Sequence, residues 1–224
     1  MDKSPNKIKN IFNRISNSYD FMNNIISFGL HKIIKLKCIK ELNISNRSKI
    51  LDLCCGTGDT AWLIKKHYKK VNVIGVDFSE KMLNIARKKC RYVEFYNLDI
   101  TNLPFEKNEF DTITCTFGLR NVEDINKAIS SIYKVLKVNG EFMHLDFGYK
   151  NKISKIFDFY VPILCKIFKK NPLAYNYLIK SKQEFYTPEE IIKLFNDNNF
   201  ELKKQKNFLF NTISMQIFTK KSPY

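Results

Sequence analysis

Between Lys49 and Phe147, short apolar runs alternate with helical patterns, and this alternation limits the fold more than any other feature of the chain. Ile50–Leu53, Val71–Asp77, Tyr92–Tyr96, Phe110–Cys115 and Glu141–Phe147 read as strands. Asp59–Tyr68, Lys81–Lys89 and Glu123–Leu136 read as the helices between them. Ser79 is placed to cap the second of these, and Asn139-Gly140 to stop the third. Strands joined by helical crossovers lie parallel and bury both faces. The expected fold is therefore α/β, a doubly wound, mostly parallel sheet with helices on both sides. Residues 201–208 and 211–220 read as two more strands, close enough for an antiparallel hairpin, which makes a seven-stranded sheet.

The flanks are helical. Ile8, Ile11, Phe12 and Ile15 fall at helical spacing, "SNSYDFMNN" breaks that pattern, and a second helix is expected from His31 to Leu42. Across 152–199 the residues Ile153, Ile156, Phe157, Tyr160, Ile163, Leu164 and Ile167 form an apolar stripe. Thr187-Pro188-Glu189-Glu190 supplies the cap, first-turn proline and acids that open a last helix. No repeat or low-complexity linker divides the chain. It reads as one domain over 1–224, with a helical leader (1–45), a cofactor-binding core (46–150), a helical lid (151–200) and a C-terminal hairpin (201–224).

Composition narrows the function. With 224 residues, 44% of them hydrophobic, the chain can build a sizeable core. No apolar run reaches the ~18 residues of a membrane span, and MDKSPNKIKN has no apolar signal core, so a cytoplasmic location is expected. The net charge of +16 suits an anionic partner. The basic residues are nevertheless spread out, in short clusters such as Lys88-Lys89 and Lys169-Lys170, and no nucleic-acid signature accompanies them, so no nucleic-acid partner is expected. Cys38, Cys54, Cys55, Cys90, Cys115 and Cys165 form no C-x-x-C pair and fit no zinc spacing, so no metal is expected and the thiols read as reduced and buried.

The first strand runs into a glycine turn, "KILDLCCGTGDT". It lacks the G-x-x-x-x-G-K-[ST] spacing of a P-loop, and Cys54 replaces the first glycine of a dinucleotide fingerprint. What remains is a tight turn bringing backbone close to a ligand, with an acid, Asp52, in the strand before it. Such a site suits a ligand with a cationic or zwitterionic portion better than a polyphosphate. Cys54 and Cys55 read as small packing residues. Polar residues recur at the other strand ends: Asp77, Asp99, and Thr116 to Asn121. Open α/β sheets bind ligands at those ends.

These segments resemble a known family. "LDLCCGTGD" is similar to the first motif of class I S-adenosylmethionine-dependent methyltransferases, whose fold is Rossmann-like. Asp77 in "VIGVDFS" is similar to their ribose-binding acid, and "NLDITNLPF" to the segment covering adenine. "TFGLRNVED", the leader "IFNRISNSYDFMNNIISFGLHK" and the lid pieces "FDFYVPI" and "NYLIKS" resemble the demethylmenaquinone and ubiquinone-pathway C-methyltransferases over nearly the whole chain. Two segments depart from that pattern, "SKQEFYTPEE" in the lid and "NTISMQIFTKK" in the last strand. Both lie where an acceptor pocket is shaped, so they bear on the acceptor more than on the reaction.

The resemblance implies a cofactor, S-adenosylmethionine, leaving as S-adenosylhomocysteine. It implies cofactor contacts at Asp52, Gly56, Thr57, Gly58, Asp77, Phe78, Asp99, Ile100 and Thr116. The bland reading of Asp77 is a strand-end acid capping the next helix, and that of the glycines a plain turn. Asp52 either holds the loop or attracts the cofactor ammonium through water. Arg120 and Asn121 occupy positions facing the acceptor, and Tyr19 the cofactor–acceptor boundary. Arg120 is expected to stabilise a developing phenolate, against the simpler reading of a salt bridge to Glu123 or Asp124. His31 reads as structural. The implied reaction is methylation of a quinol ring carbon, demethylmenaquinol to menaquinol. Another small aromatic or natural-product acceptor is the alternative, and a non-catalytic cofactor-binding subunit a third reading. Expected partners are a prenylated quinol, a second copy of the chain, and the inner face of a membrane. Lys152, Lys155, Lys166, Lys169 and Lys170 on the lid suit that surface, or else form an ordinary solvated face.

Overall fold

Runs such as Lys49–Leu53, with four consecutive buried positions, leave no side for solvent, so their strands must be covered on both faces. The computed structural model describes residues 3–169 and 172–222. Among these, seven strands form one sheet: β1 (Lys49–Leu53), β2 (Asn72–Asp77), β3 (Glu94–Asn97), β4 (Phe110–Thr116), β5 (Leu136–Phe147), β6 (Phe200–Phe208) and β7 (Ile213–Lys220). Their order is β3-β2-β1-β4-β5-β7-β6. The first five pair in parallel, and β7 lies antiparallel between β5 and β6. The order reverses between β1 and β4, so the switch-point crevice opens beyond the C-terminal ends of those two strands.

The helices are α1 (Pro5–Ser27), α2 (Leu30–Ile39), α3 (Asp59–His67), α4 (Glu80–Lys89), α5 (Ile125–Val135), α6 (Lys152–Ile167), α7 (Pro172–Glu184) and α8 (Pro188–Asn196). Strand alternation distributes two cores. Leu51 and Leu53 face α5 and α8 with Phe110 and Phe142, while Ile50 faces α2, α3 and α4 with Val73 and Met143. A third cluster joins the C-terminal half of α1 to the lid, through Met22, Ile26, Val161, Cys165 and Tyr175. Lys170, counted with the basic residues of the lid, lies outside the described residues.

Several expected boundaries move: the helix expected over His31–Leu42 is Leu30–Ile39, the strand expected over Tyr92–Tyr96 is Glu94–Asn97, and two further shifts have a tertiary cause. "SNSYDFMNN" does not break the leader, because α1 runs unbroken through it. The Ser16, Ser18 and Ser27 hydroxyls donate back to the carbonyls of Asn13, Ile15 and Asn23, and Met22 and Ile26 are buried against the lid. Tertiary packing overrides a weak local preference here. The break comes at Phe28 and Gly29, both left-handed. The helix expected over Glu123–Leu136 is shorter. Asp124 caps its start by accepting from the Lys127 amide at 3.0 Å, and it ends at Val135 rather than at Asn139-Gly140. Leu136 already pairs with Phe110, so the chain passes straight into β5, and Asn139 (φ 61°) sits within that strand, at a register irregularity.

Phe142, Phe195 and Phe218 stack between sheet and α8, with Phe195 centroids 5.0 and 4.5 Å from the other two. All three are fully buried. Phe195→Ala is expected to destabilise the fold by about 3–5 kcal/mol, read as a lowered urea midpoint with an unchanged slope.

Candidate active site

The turn after β1 is built by residues with positive φ: Cys54 (50°), Gly56 (54°) and Gly58 (80°). The two glycines do different work. A Cβ on Gly56 would meet nothing nearer than Tyr19 Cε1 at 4.0 Å, so the space in front of it is open. A Cβ on Gly58 would lie 3.0 Å from the Ala86 Cβ, so Gly58 makes room for α4. The Gly56 amide donates to Asp77 Oδ2 and the Ser79 amide to Asp77 Oδ1, both at 2.9 Å. Burial pushes the Asp77 carboxyl up to about 6, although the amides of Ser79, Gly56 and Phe78 pull the other way.

These groups line the more polar of two cavities beyond the strand ends. Gly56, Asp77, Phe78, Asp99, Ile100, Thr116, Asn121 and Tyr19 all reach its wall. Asp99 holds the loop after β3 by accepting from the Thr101 amide at 2.9 Å, and Thr116 shares a 2.8 Å hydrogen bond with the Thr60 hydroxyl. Cys54 also reaches the wall, which goes beyond a packing role, but its thiol is pushed well up by its contact with Cys115 and by burial. Among the described residues, no group of three or more His, Cys, Asp or Glu side chains could hold a metal ion.

Asp52, Thr57 and Gly58 stand behind that wall. Asp52 is fully buried and accepts from the Thr114 hydroxyl at 2.7 Å and the Ala61 amide at 3.2 Å. It therefore holds the turn between β4 and α3, and burial pushes its carboxyl up to about 7. Thr57 donates to Asp20 on α1. Lys89 Nζ lies 2.6 Å from Asp20, 2.7 Å from Asp59 and 3.2 Å from the Thr57 hydroxyl. Burial would raise Asp59, but His31, Lys35 and Lys89 together hold it well below the usual carboxylate range. His31 Nδ1 meets the Ser27 hydroxyl at 2.6 Å and Nε2 lies 3.5 Å from Asp59, which makes it part of this net as well as of a second wall. The sequence reading missed the roles of Asp20, Lys89 and Asp59, because the net brings α1, α2 and α4 together at the glycine turn and the start of α3.

The second cavity is apolar, lined by Ile11, Ile15, Ile26, Leu30, Phe157, Leu178 and Ile213 among others. Phe12, Tyr19, Thr116 and Phe117 belong to both walls, so the two cavities meet there. Burial raises the Tyr19 hydroxyl above its ordinary value and keeps it protonated. Arg120, in a short 3-10 turn (Leu119–Asn121), reaches the apolar cavity, and the adjacent Asn121 reaches the polar one. Arg120 pairs with neither Glu123 nor Asp124. It turns inward and donates to Asp146 Oδ1 on β5 at 2.8 Å and to the Phe117 carbonyl at 2.6 Å. Asp146 stands, like Asp77 and Asp99, as an acid near the end of a strand, so the same rule could have found it. Tyr177 of α7 was also missed, and it donates to Asn121 Oδ1 at 2.9 Å.

A doubly wound sheet of this order, with an open glycine turn bonded to a buried acid on the next strand, is the arrangement that the resemblance to class I methyltransferases leads one to expect. Residues 1–220 match the model of the ubiE/COQ5 methyltransferase family. The chain is 38% identical over 221 residues to a demethylmenaquinone methyltransferase of Staphylococcus saprophyticus, covering 94% of this chain and 95% of that one. A relative of the same name from Staphylococcus aureus is 35% identical over 228 residues, covering 96% and 95%. Among solved structures, a Thermotoga maritima S-adenosylmethionine-dependent methyltransferase, described as a possible histamine N-methyltransferase, superposes with a TM-score of 0.72 at 20% identity, covering 96% and 100%. The chain belongs to the ubiE/COQ5 methyltransferase family and is an S-adenosylmethionine-dependent methyltransferase.

The Arg120–Asp146 pair is buried, with 3% and 0% exposure, and among the described residues Asp146 Oδ2 and Arg120 Nε have no hydrogen-bond partner. Asp146→Ala would strand a buried guanidinium and is expected to cost about 3–5 kcal/mol, measured by urea denaturation. Asp146→Asn, which keeps an acceptor, is expected to cost clearly less.

Proposed function

We propose that this enzyme methylates a ring carbon of a prenylated quinol, demethylmenaquinol to menaquinol, at the cytoplasmic face of a membrane. The observation that carries this reading is the meeting of a polar, acid-rimmed cavity with an apolar one at Tyr19, Thr116 and Phe117. The names of the curated relatives point to the same acceptor.

The residues present fit the methyl donor. Asp77 keeps free acceptor capacity on both oxygens after its two amide bonds, enough for two ribose hydroxyls. The open space at Gly56 admits an amino-acid portion close to backbone, and Asp99 with Ile100 supplies an acceptor and an apolar cover for a purine. When bound, S-adenosylmethionine supplies a methyl group on a cationic sulfur and is released as S-adenosylhomocysteine.

The chain's own residues then handle the acceptor. An unperturbed phenol has a pKa of about 10, so its proton must be helped away. Arg120 cannot act through net charge alone, since Asp146 neutralises it. It acts as a donor: the guanidinium, fixed by Asp146 and the Phe117 carbonyl, offers N–H groups to the developing phenolate, directly or through water. Asn121, with its carbonyl oxygen engaged by Tyr177 and one amide hydrogen directed at the Phe117 carbonyl at 3.5 Å, keeps a second amide hydrogen to orient the acceptor oxygen. Protonated Tyr19 donates at the boundary between the two cavities. As the phenolic proton leaves, electron density rises on the neighbouring ring carbon. That carbon would accept the methyl group that a bound donor supplies, with the methyl–sulfur electron pair staying on the S-adenosylhomocysteine released. Loss of the ring C–H proton restores aromaticity and a proton returns to the ring oxygen, so that one proton in all passes to water and the product is again a quinol. The apolar walls exclude water and hold the ring carbon in line.

Labelled methyl transfer to demethylmenaquinone, run oxidised and chemically reduced, tests the reading. Product is expected only from the reduced acceptor, and Arg120→Ala is expected to lower kcat by ~100-fold or more with donor affinity unchanged. No product beside intact S-adenosylhomocysteine binding would sink the acceptor and turn attention to other small aromatic substrates. Donor binding should also follow pH. Asp77 accepts only as a carboxylate, which is present above its pKa of about 6. S-adenosylhomocysteine affinity is therefore expected to fall as pH drops through about 6, and Asp77→Asn should bind weakly with a flat profile, both read by titration calorimetry.

A further inference from the structure

The lid helix α6 turns one stripe toward α1 and leaves another uncovered. Phe157, Tyr160 and Leu164 pack against Met22 and Ile26, and the Tyr160 hydroxyl donates to the Ile26 carbonyl. On another face Ile153, Ile156, Phe159, Ile163 and Ile167, spaced by three and four residues, are 38–73% exposed. Solvated helix faces are normally polar, and a contiguous apolar stripe marks an interaction surface. Lys152, Lys155, Lys166 and Lys169 are exposed alongside it, and no ion pair is seen for them among the described residues. The only acid on α6, Asp158, is taken by Lys182. Nothing negative on this helix therefore opposes an anionic surface.

The start of α6 is bonded to the turn that edges the apolar cavity. Leu30 and Leu209 line that cavity and are 38% and 41% exposed, so it reaches solvent between the start of α2 and the β6–β7 turn. Phe28, two residues from Leu30, is 83% exposed, and Phe210, next to Leu209, is 78% exposed. Phe28, Leu209 and Phe210 all hold positive φ (50°, 47° and 54°), an uncommon conformation for bulky residues. Two aromatics are thus held outward beside a greasy opening. The Asn151 side chain, at the start of α6, donates to the Phe210 carbonyl at 2.7 Å and joins the turn to the stripe.

We propose that this face, formed by the α6 stripe with Phe28 and Phe210, docks on an anionic lipid bilayer and places the mouth of the apolar cavity against the acyl chains. The inference rests on the prenylated-acceptor reading, since a prenyl tail would pass from the bilayer into the cavity without crossing water. Among the described residues no helix is long and apolar enough to cross a membrane. The contact is therefore interfacial, with apolar side chains supplying depth and lysines supplying attraction to acidic headgroups.

The full chain is sedimented with vesicles of phosphatidylcholine, and of phosphatidylcholine with phosphatidylglycerol. Binding is expected to the second only, weakening as salt rises. Phe159→Ser with Ile163→Ser, and separately Phe28→Ser with Phe210→Ser, should weaken it by about tenfold or more. Lys152→Gln, Lys155→Gln and Lys166→Gln together should weaken it on the order of 100-fold. Each variant should bind S-adenosylhomocysteine as the wild type does, which separates lost docking from misfolding. Each should also methylate a short-chain, water-soluble quinol at the wild-type rate. Vesicle binding that is absent, or unchanged in the variants, overturns the proposal. A homodimer that dissociates in the Phe159 and Ile163 variants also overturns it, by assigning the face to a second copy. Methylation of the soluble quinol without vesicle binding would sink the docking alone, and vesicle binding without any quinol methylation would sink the acceptor reading alone.

Discussion

The site depends on one buried carboxylate. Asp77 at the end of β2 accepts from the turn after β1 through Gly56 and from the start of α4 through Ser79. Those two bonds fix where the strand ends stand relative to each other, and hence the shape of the polar cavity. They also carry an electrostatic cost. Burial lifts the carboxyl to about 6, so the group that shapes the cavity is held ready to gain from donors brought by a ligand.

A second constraint lies behind the first. The net of Asp20, Thr57, Lys89, Asp59 and His31 ties α1, the glycine turn, α4, α3 and α2 around one ammonium group. It fastens the leader over the open end of the sheet, which lets Phe12 and Tyr19 of α1 become walls of both cavities. A sheet alone would offer a shallow crevice. With the leader and lid closed over it, the crevice becomes two compartments of different polarity, which suits the proposed transfer from a charged donor to an apolar acceptor.

The core was legible because its signals are local. Period-two apolar runs, a caps-and-glycine punctuation and strand-end acids announced the sheet, and Gly56, Asp77, Asp99 and Thr116 fell at the cavity wall as their strand ends implied. Where the reading slipped, a distant contact decided. "SNSYDFMNN" looks like a break, but Met22 and Ile26 are paid back by burial against a lid more than a hundred residues away. Asn139-Gly140 looks like a helix stop, but Leu136 is already committed to pairing with Phe110. Arg120 has acids within helical reach, but a 3-10 turn sends it across to Asp146 instead.

By itself the sequence determined the class of fold, the glycine turn and the residues that crowd the C-terminal strand ends, because each depends on periodicity or on backbone freedom within a few residues. Only the tertiary structure decided that Gly56 faces open space while Gly58 faces Ala86, that Asp52 and Thr57 brace the site from behind, and that Arg120 is held by Asp146. It also decided which stripe of α6 is covered and which is left exposed. The physical reason is the same in each case. A side chain's role follows from the partners that folding brings within a few ångströms, and those partners come from elements that the chain itself keeps far apart.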